Sequence, residues 1–164
     1  MSTPRDAVVR RTVVVPVTRE RAFDFFVNRL IEWWPREFTF SDGAITDIAV
    51  EPWTGGRWYE RDEHGVETAW GTVRHWNMPE QVKLSWKISP QRTPEPDESR
   101  ASEVEITFVE DGTATTRIDL EHRCFNRHRE GAEVMYAGMD SAEGWTKILD
   151  HFAQRVIDNS EHAF

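Results

Sequence analysis

The chain has 164 residues, enough for one domain with a sizeable core and room for an internal pocket. Its 29 acidic and 20 basic residues leave a net charge of -9, with arginine and glutamate interleaved along the chain. That balance excludes the basic stripe a nucleic-acid partner requires and disfavours an anionic membrane surface.

Residues 1–6 are polar and read as a frayed start. Residues 8–16, VVRRTVVVP, form a Val-rich strand closed by Pro16. A helix follows. Thr18 suits its N-cap and Glu20 its first turn, while Ala22, Phe23, Phe26, Val27, Leu30 and Ile31 recur at helical spacing. Pro35 stops it just after Trp33 and Trp34. From Ala44 to Leu120, short β-type runs alternate with turn signals. Residues 44–50 come first, and 57–62 and 66–76 then flank the loop Glu63-His64-Gly65. Val82, Leu84, Trp86 and Ile88 alternate with polar residues, as do Val104, Ile106 and Phe108, and then Ile118, Leu120 and His122. This period of two predicts an antiparallel sheet with one wet face. Residues 89–100, SPQRTPEPDESR, read as a surface loop. Trp145, Ile148, Leu149, Phe152, Val156 and Ile157 form the stripe of a long final helix, capped by Ser141 or Asp140. Only the sheet is broad enough to receive that stripe, so the chain reads as one α+β domain.

The lone cysteine, Cys124, rules out an intrachain disulfide and fits a reducing compartment. The first residues lack the apolar core of a signal peptide, and no run approaches ~18 apolar residues. The expectation is a cytoplasmic protein without membrane insertion.

The order and punctuation of these segments resemble the START-like superfamily, also called SRPBCC or Bet v-like. Within it the chain looks like the family named for activators of the heat-shock protein 90 ATPase. The resemblance rests on Val13-Val14-Val15-Pro16 before a helix with Ala22 and Phe23, and on Trp33-Trp34 at its close. It continues through Gly55-Gly56-Arg57-Trp58, Gly71-Thr72-Val73, Pro79 with Val82-x-Leu84-x-Trp86, Gly112-Thr113, Leu120-x-His122 and Gly144-Trp145. It covers residues 8–158, the expected ordered core of a single domain spanning 1–164. It implies a helix-grip fold: a curved antiparallel sheet wrapped around the long C-terminal helix, with two short helices after the first strand. It also implies an apolar cavity between sheet and helix, used across the superfamily for lipids, hormones and polyketides. Chaperone activators proper carry a further N-terminal domain, for which this chain has no room.

In such a fold the inward side chains of the middle strands line the cavity. The candidate lining is Trp34, Trp58, Val73, Trp86, Ile106, Phe108, Leu120, Trp145 and Leu149, with Glu60 and His122 as polar members. For any single ring, ordinary core packing is the simpler account. Trp58 and Glu60 share the face expected to point inward, whereas residues 70–76 carry large groups on both faces and leave their parity open. A carboxylate beside Trp58 suits acid–base work or the gripping of a ligand hydroxyl. The alternative is a salt bridge to Arg61, Arg74 or Arg117. His122 sits at one end of the cavity, within reach of Glu60 or Glu105, or acts as a hydrogen-bonded structural histidine. HRCFNRH, holding His122, Cys124 and His128, is no metal-ligand spacing, and the chain lacks G-x-S-x-G, H-E-x-x-H, Walker and G-x-G-x-x-G motifs. No metal or cofactor is called for.

The leading expectation is a binder of a hydrophobic small molecule. One rival is a cavity enzyme, a cyclase, dehydratase or hydrolase using Glu60 and His122. The other is a chaperone-associated stress-response module working through its surface, where Glu103, Glu105, Asp119 and Glu121 make an acidic face. An open sheet edge also offers a place for a homodimer to pair.

Overall fold

A computed structural model describes residues 7–161, so the polar start at 1–6 lies outside the described residues. The elements are β1 (Val9–Val15), α1 (Arg19–Asn28), α2 (Leu30–Trp33), β2 (Ile45–Val50), β3 (Arg57–Asp62), β4 (Glu67–Asn77), β5 (Gln81–Trp86), β6 (Ser102–Glu110), β7 (Thr116–Arg123), α3 (Ala132–Asp140) and α4 (Lys147–Glu161). The seven strands form one curled antiparallel sheet in the order β1-β7-β6-β5-β4-β3-β2. This is the α+β helix-grip architecture expected from the sequence.

Local chemistry explains the element ends. Thr18 caps α1, its hydroxyl accepting from the Arg21 amide at 3.3 Å. The run read as one helix breaks at Arg29 into α1 and α2, and the extended Trp34-Pro35 step then ends α2. Ser141 caps a π-type turn over Ala142–Thr146 that leads into α4. Gly144 in that turn is non-helical, with φ -98° and ψ -129°, and a Cβ there would lie 2.4 Å from the Met139 carbonyl. The helix α3 has no counterpart in the sequence reading, because its apolar residues Val134, Met135, Tyr136 and Ala137 run consecutively around the helix instead of marking one face, and only Ala132 and Met135 are buried.

The predicted helical stripe is the buried face of α4 and its lead-in: Trp145, Ile148, Leu149, Phe152 and Val156 are buried, with Ile157 at its margin. Strands β6 and β7 alternate buried residues with half-buried or exposed ones along their length. Strand β4 does not. Trp70 has no partner on β3, and Arg74 has none on β5, so β4 carries two bulges. Each shifts the side-chain phase by one. Trp70, Val73 and Trp76 therefore all reach the packed interior, Trp76 at 5.1 Å from the Phe23 ring. That resolves the parity the sequence left open: residues 70–76 have no single inward face.

On the outer face, the acidic groups are paired. Arg123 meets Glu103, Glu105 and Glu121 at 3.0, 2.8 and 3.0 Å, and Arg117 meets Asp119 at 3.1 Å. No helix among the described residues is long and apolar enough to cross a membrane.

Candidate functional site

Four indole rings form a closed circuit inside the grip. Trp34 lies 5.9 Å from Trp58, Trp58 5.7 Å from Trp86, Trp86 5.5 Å from Trp145, and Trp145 6.3 Å from Trp34. Trp70 packs against Trp34 at 4.9 Å and Trp58 at 5.3 Å. Tilted and edge-on geometries predominate, as aromatic quadrupoles prefer.

Glu60 and Asp62, both on β3, hold the loop after α2. The fully buried Glu60 carboxylate accepts from the Phe40 amide (2.8 Å), the Ser41 amide (2.9 Å) and the Trp70 indole (2.8 Å). Asp62 accepts from the Ser41 hydroxyl at 2.7 Å and from the His64 and Val66 amides, and these bonds hold its carboxyl below the usual range. Glu60 makes none of the salt bridges considered for it.

His122 is likewise enclosed. Trp145 Nε1 donates to His122 Nδ1 at 2.9 Å, which puts the histidine proton on Nε2. That proton goes to the Ser102 hydroxyl at 2.7 Å, and Ser102 in turn donates to His128 Nε2 at 2.7 Å. The remaining His128 proton sits on Nδ1, buried without a partner. Burial, with His128 nearby, drives the His122 pKa well below its ordinary value, and burial lowers that of His128 to about 4 against an opposing pull from Glu95. Sequence reading noticed both histidines but not Ser102, which joins them from the neighbouring strand. Among the described residues no three His, Cys, Asp or Glu side chains gather as a metal site.

A cavity of about 170 Å³ opens at the end of the grip. Its walls come from four segments: Trp34 and the following loop with Phe38 and Phe40; Trp86 and Ile88 at the end of β5; Met135 and Met139 on α3; and Gly144 with Ile148. The loop read at 89–100 contributes Pro90 and Arg92. Glu37 and Glu143 also line it, and Lys147 bridges them at 2.8 and 3.1 Å. A second void of only about 10 Å³ lies deeper, lined by residues including Trp34, Trp58, Ile106 and Trp145.

The predicted lining thus divides. Trp34 and Trp86 face the cavity, while Trp58, Ile106 and Trp145, with Trp34 again, face the small void. Val73, Phe108, Leu120 and Leu149 belong to the packed core, with Phe108 5.0 Å from Phe23 and 5.7 Å from Phe26. Glu60 and His122 are buried but line neither space. The sequence reading missed Phe38, Phe40, Ile88, Met135 and Met139. The aromatic pair flanking Thr39 was the available signal.

No curated protein matches. One solved structure, the anthrahydroquino-gamma-pyrone synthase Txn09 complexed with SUM, is 34% identical over 93% of this chain and 99% of that one, with a TM-score of 0.65. CalC from Micromonospora echinospora, a self-sacrificing resistance protein, is 32% identical over 95% and 97% of the two chains, with a TM-score of 0.68. Protein NE0264 from Nitrosomonas europaea shares the fold at 14% identity, over 96% and 99% of the two chains, with a TM-score of 0.64. Residues 16–156 match the Activator of Hsp90 ATPase homolog 1-like protein family, and the chain belongs to it.

Proposed function

We propose that the protein binds a planar, hydrophobic small molecule in the cavity between the Trp34–Phe40 segment, the end of β5 and α3. The observation that carries this reading is the wall itself: Trp34, Phe38, Phe40, Trp86, Met135 and Met139 around about 170 Å³. Aromatic faces and adaptable thioethers with a few charged groups at the rim are the usual make-up of a small-molecule site. The relative at 34% identity, named as an anthrahydroquino-gamma-pyrone synthase, supports a polycyclic aromatic ligand class.

Catalysis is the second reading, favoured by that relative being a synthase. Its proposed acid–base pair, Glu60 and His122, has every ring nitrogen and carboxylate oxygen engaged within the protein. Binding is therefore the function these residues support best. A chaperone-facing surface draws less support: the exposed large apolar side chains Val14, Trp53, Val66, Met78 and Val134 stand on separate elements. Homodimer pairing through the β1 or β2 edge stays a subsidiary proposal.

Gly138 supplies the test. It lines the cavity, and a Cβ there meets nothing within 4 Å. Gly138→Phe is expected to fill the cavity and abolish binding of 9-fluorenone in equilibrium dialysis, with the unfolding temperature kept or raised. Unchanged binding by a folded Gly138→Phe protein would place the ligand elsewhere.

A further inference from the structure

Trp34 is, among the described residues, the one side chain that lines both the cavity and the deeper void. Trp58 lines the void, Trp86 lines the cavity, and their rings are 5.7 Å apart. The partition between the two spaces is therefore built of indoles.

Two polar groups in this partition lack partners. Trp58 Nε1 and Trp86 Nε1 are buried and donate to nothing. The other buried indoles are satisfied: Trp33 donates to the Phe25 carbonyl, Trp34 to the Phe38 carbonyl, Trp70 to Glu60 and Trp145 to His122. A buried donor left unpaired is unfavourable and uncommon, so two in one wall call for an explanation. For Trp58, a water in the void does not supply it. The space is about 10 Å³ and its walls are Phe, Val, Leu, Ile and Trp side chains, whereas a buried water needs two to four polar partners.

Resting on the binding reading above, we infer that the Trp34 ring swings aside to join void and cavity, and that the ligand is a planar aromatic ketone or quinone whose carbonyl oxygen accepts hydrogen bonds from Trp58 and Trp86. Trp34 is tied through its indole N–H to the Phe38 carbonyl at 3.2 Å, so displacement of the cavity loop and of the ring go together. A hydrocarbon of the same shape leaves both donors unpaired. A carbonyl satisfies them.

The matched pair fluorene and 9-fluorenone differs by one carbonyl oxygen and tests the inference by equilibrium dialysis. An all-carbon site prefers fluorene, because burying an unpaired carbonyl is unfavourable. The indole donors reverse that order. Wild-type protein is expected to hold fluorenone about 10-fold more tightly than fluorene. Trp58→Phe and Trp86→Phe each collapse the ratio, and Trp53→Phe, at an exposed site, leaves it intact. In wild-type protein, fluorenone is also expected to shift the indole N–H resonances of Trp58 and Trp86, a readout independent of whether the variants fold. Equal or tighter binding of fluorene, a ratio that survives both core substitutions, or unmoved indole resonances with fluorenone bound would each overturn the inference while leaving the binding reading standing. Failure of wild-type protein to bind either compound overturns both.

Discussion

The Trp70 indole donates to Glu60 across adjacent strands at 2.8 Å, and the same carboxylate takes the backbone amides of Phe40 and Ser41. A β-sheet side chain thus fixes the loop that carries two cavity walls. Glu60→Gln presents an amide N–H to donors that need an acceptor. It is expected to cost about 1–3 kcal/mol of stability by chemical denaturation and to weaken ligand binding through the released Phe38 and Phe40. A full-strength binding constant together with an unchanged denaturation midpoint would sink this positioning role.

The Trp145–His122–Ser102–His128 chain predicts acid sensitivity. Both histidines are neutral in the folded protein at pH 7, with His128 lowered to about 4 and His122 well below its ordinary value. The unfolded chain takes up protons near pH 6.5, so between roughly 6.5 and 4 the unfolded state binds more protons than the folded one. Stability therefore falls as pH falls, by up to about 1.4 kcal/mol per pH unit for each histidine. Urea denaturation at pH 7.5, 6 and 5 measures the slope, and His128→Phe is expected to flatten it. A flat wild-type profile over that range is the contrary result.

Two glycines stand against backbone. A Cβ on Gly71 would lie 1.8 Å from the Ser85 carbonyl oxygen, and one on Gly144 lies 2.4 Å from that of Met139. Neither obstacle is a flexible side-chain end. Gly71→Ala and Gly144→Ala are each expected to lose about 3 kcal/mol or more, at the upper end of overpacking costs. Gly138→Ala is the neutral comparison. Thermal melts of the three variants check the order.

Lys147 spans the cavity rim from Glu37 to Glu143, which hold its ammonium charged above the usual lysine range. The pairs are solvent-exposed, so Lys147→Met is expected to change stability by no more than about 1 kcal/mol. Ligand exchange is expected to quicken, because the strap between the loop and α4 is gone. Stopped-flow dissociation rates that match wild type would remove the strap from the account of the cavity.

The sequence made the regular parts of this architecture readable, for a physical reason. Strands β6 and β7 bury every second residue, and the lead-in to α4 and α4 itself bury a stripe at helical spacing, so periodicity reports them directly. Bulges at Trp70 and Arg74 broke the period in β4, and the consecutive apolar residues Val134 to Ala137 of α3 mark no single face. The site was half legible for the same reason. Trp34 and Trp86 sit where patterns run, but Phe38, Phe40, Met135 and Met139 come from a loop and the unread helix. The Ser102 link between His122 and His128 bridges separate segments, with Ser102 and His122 20 positions apart. No local pattern encodes such a contact.

The paired bulges of β4 also set the aperture of the grip. Each bends the strand by inserting one residue, and because there are two, the phase lost at Trp70 is restored at Arg74. Curvature is thus stored in chain length rather than in side-chain bulk. Deleting Arg74 alone would straighten β4 and turn Trp76 away from Phe23 without changing any hydrophobic residue. In this chain, each such bulge makes the space beneath the sheet depend on a single residue of strand length.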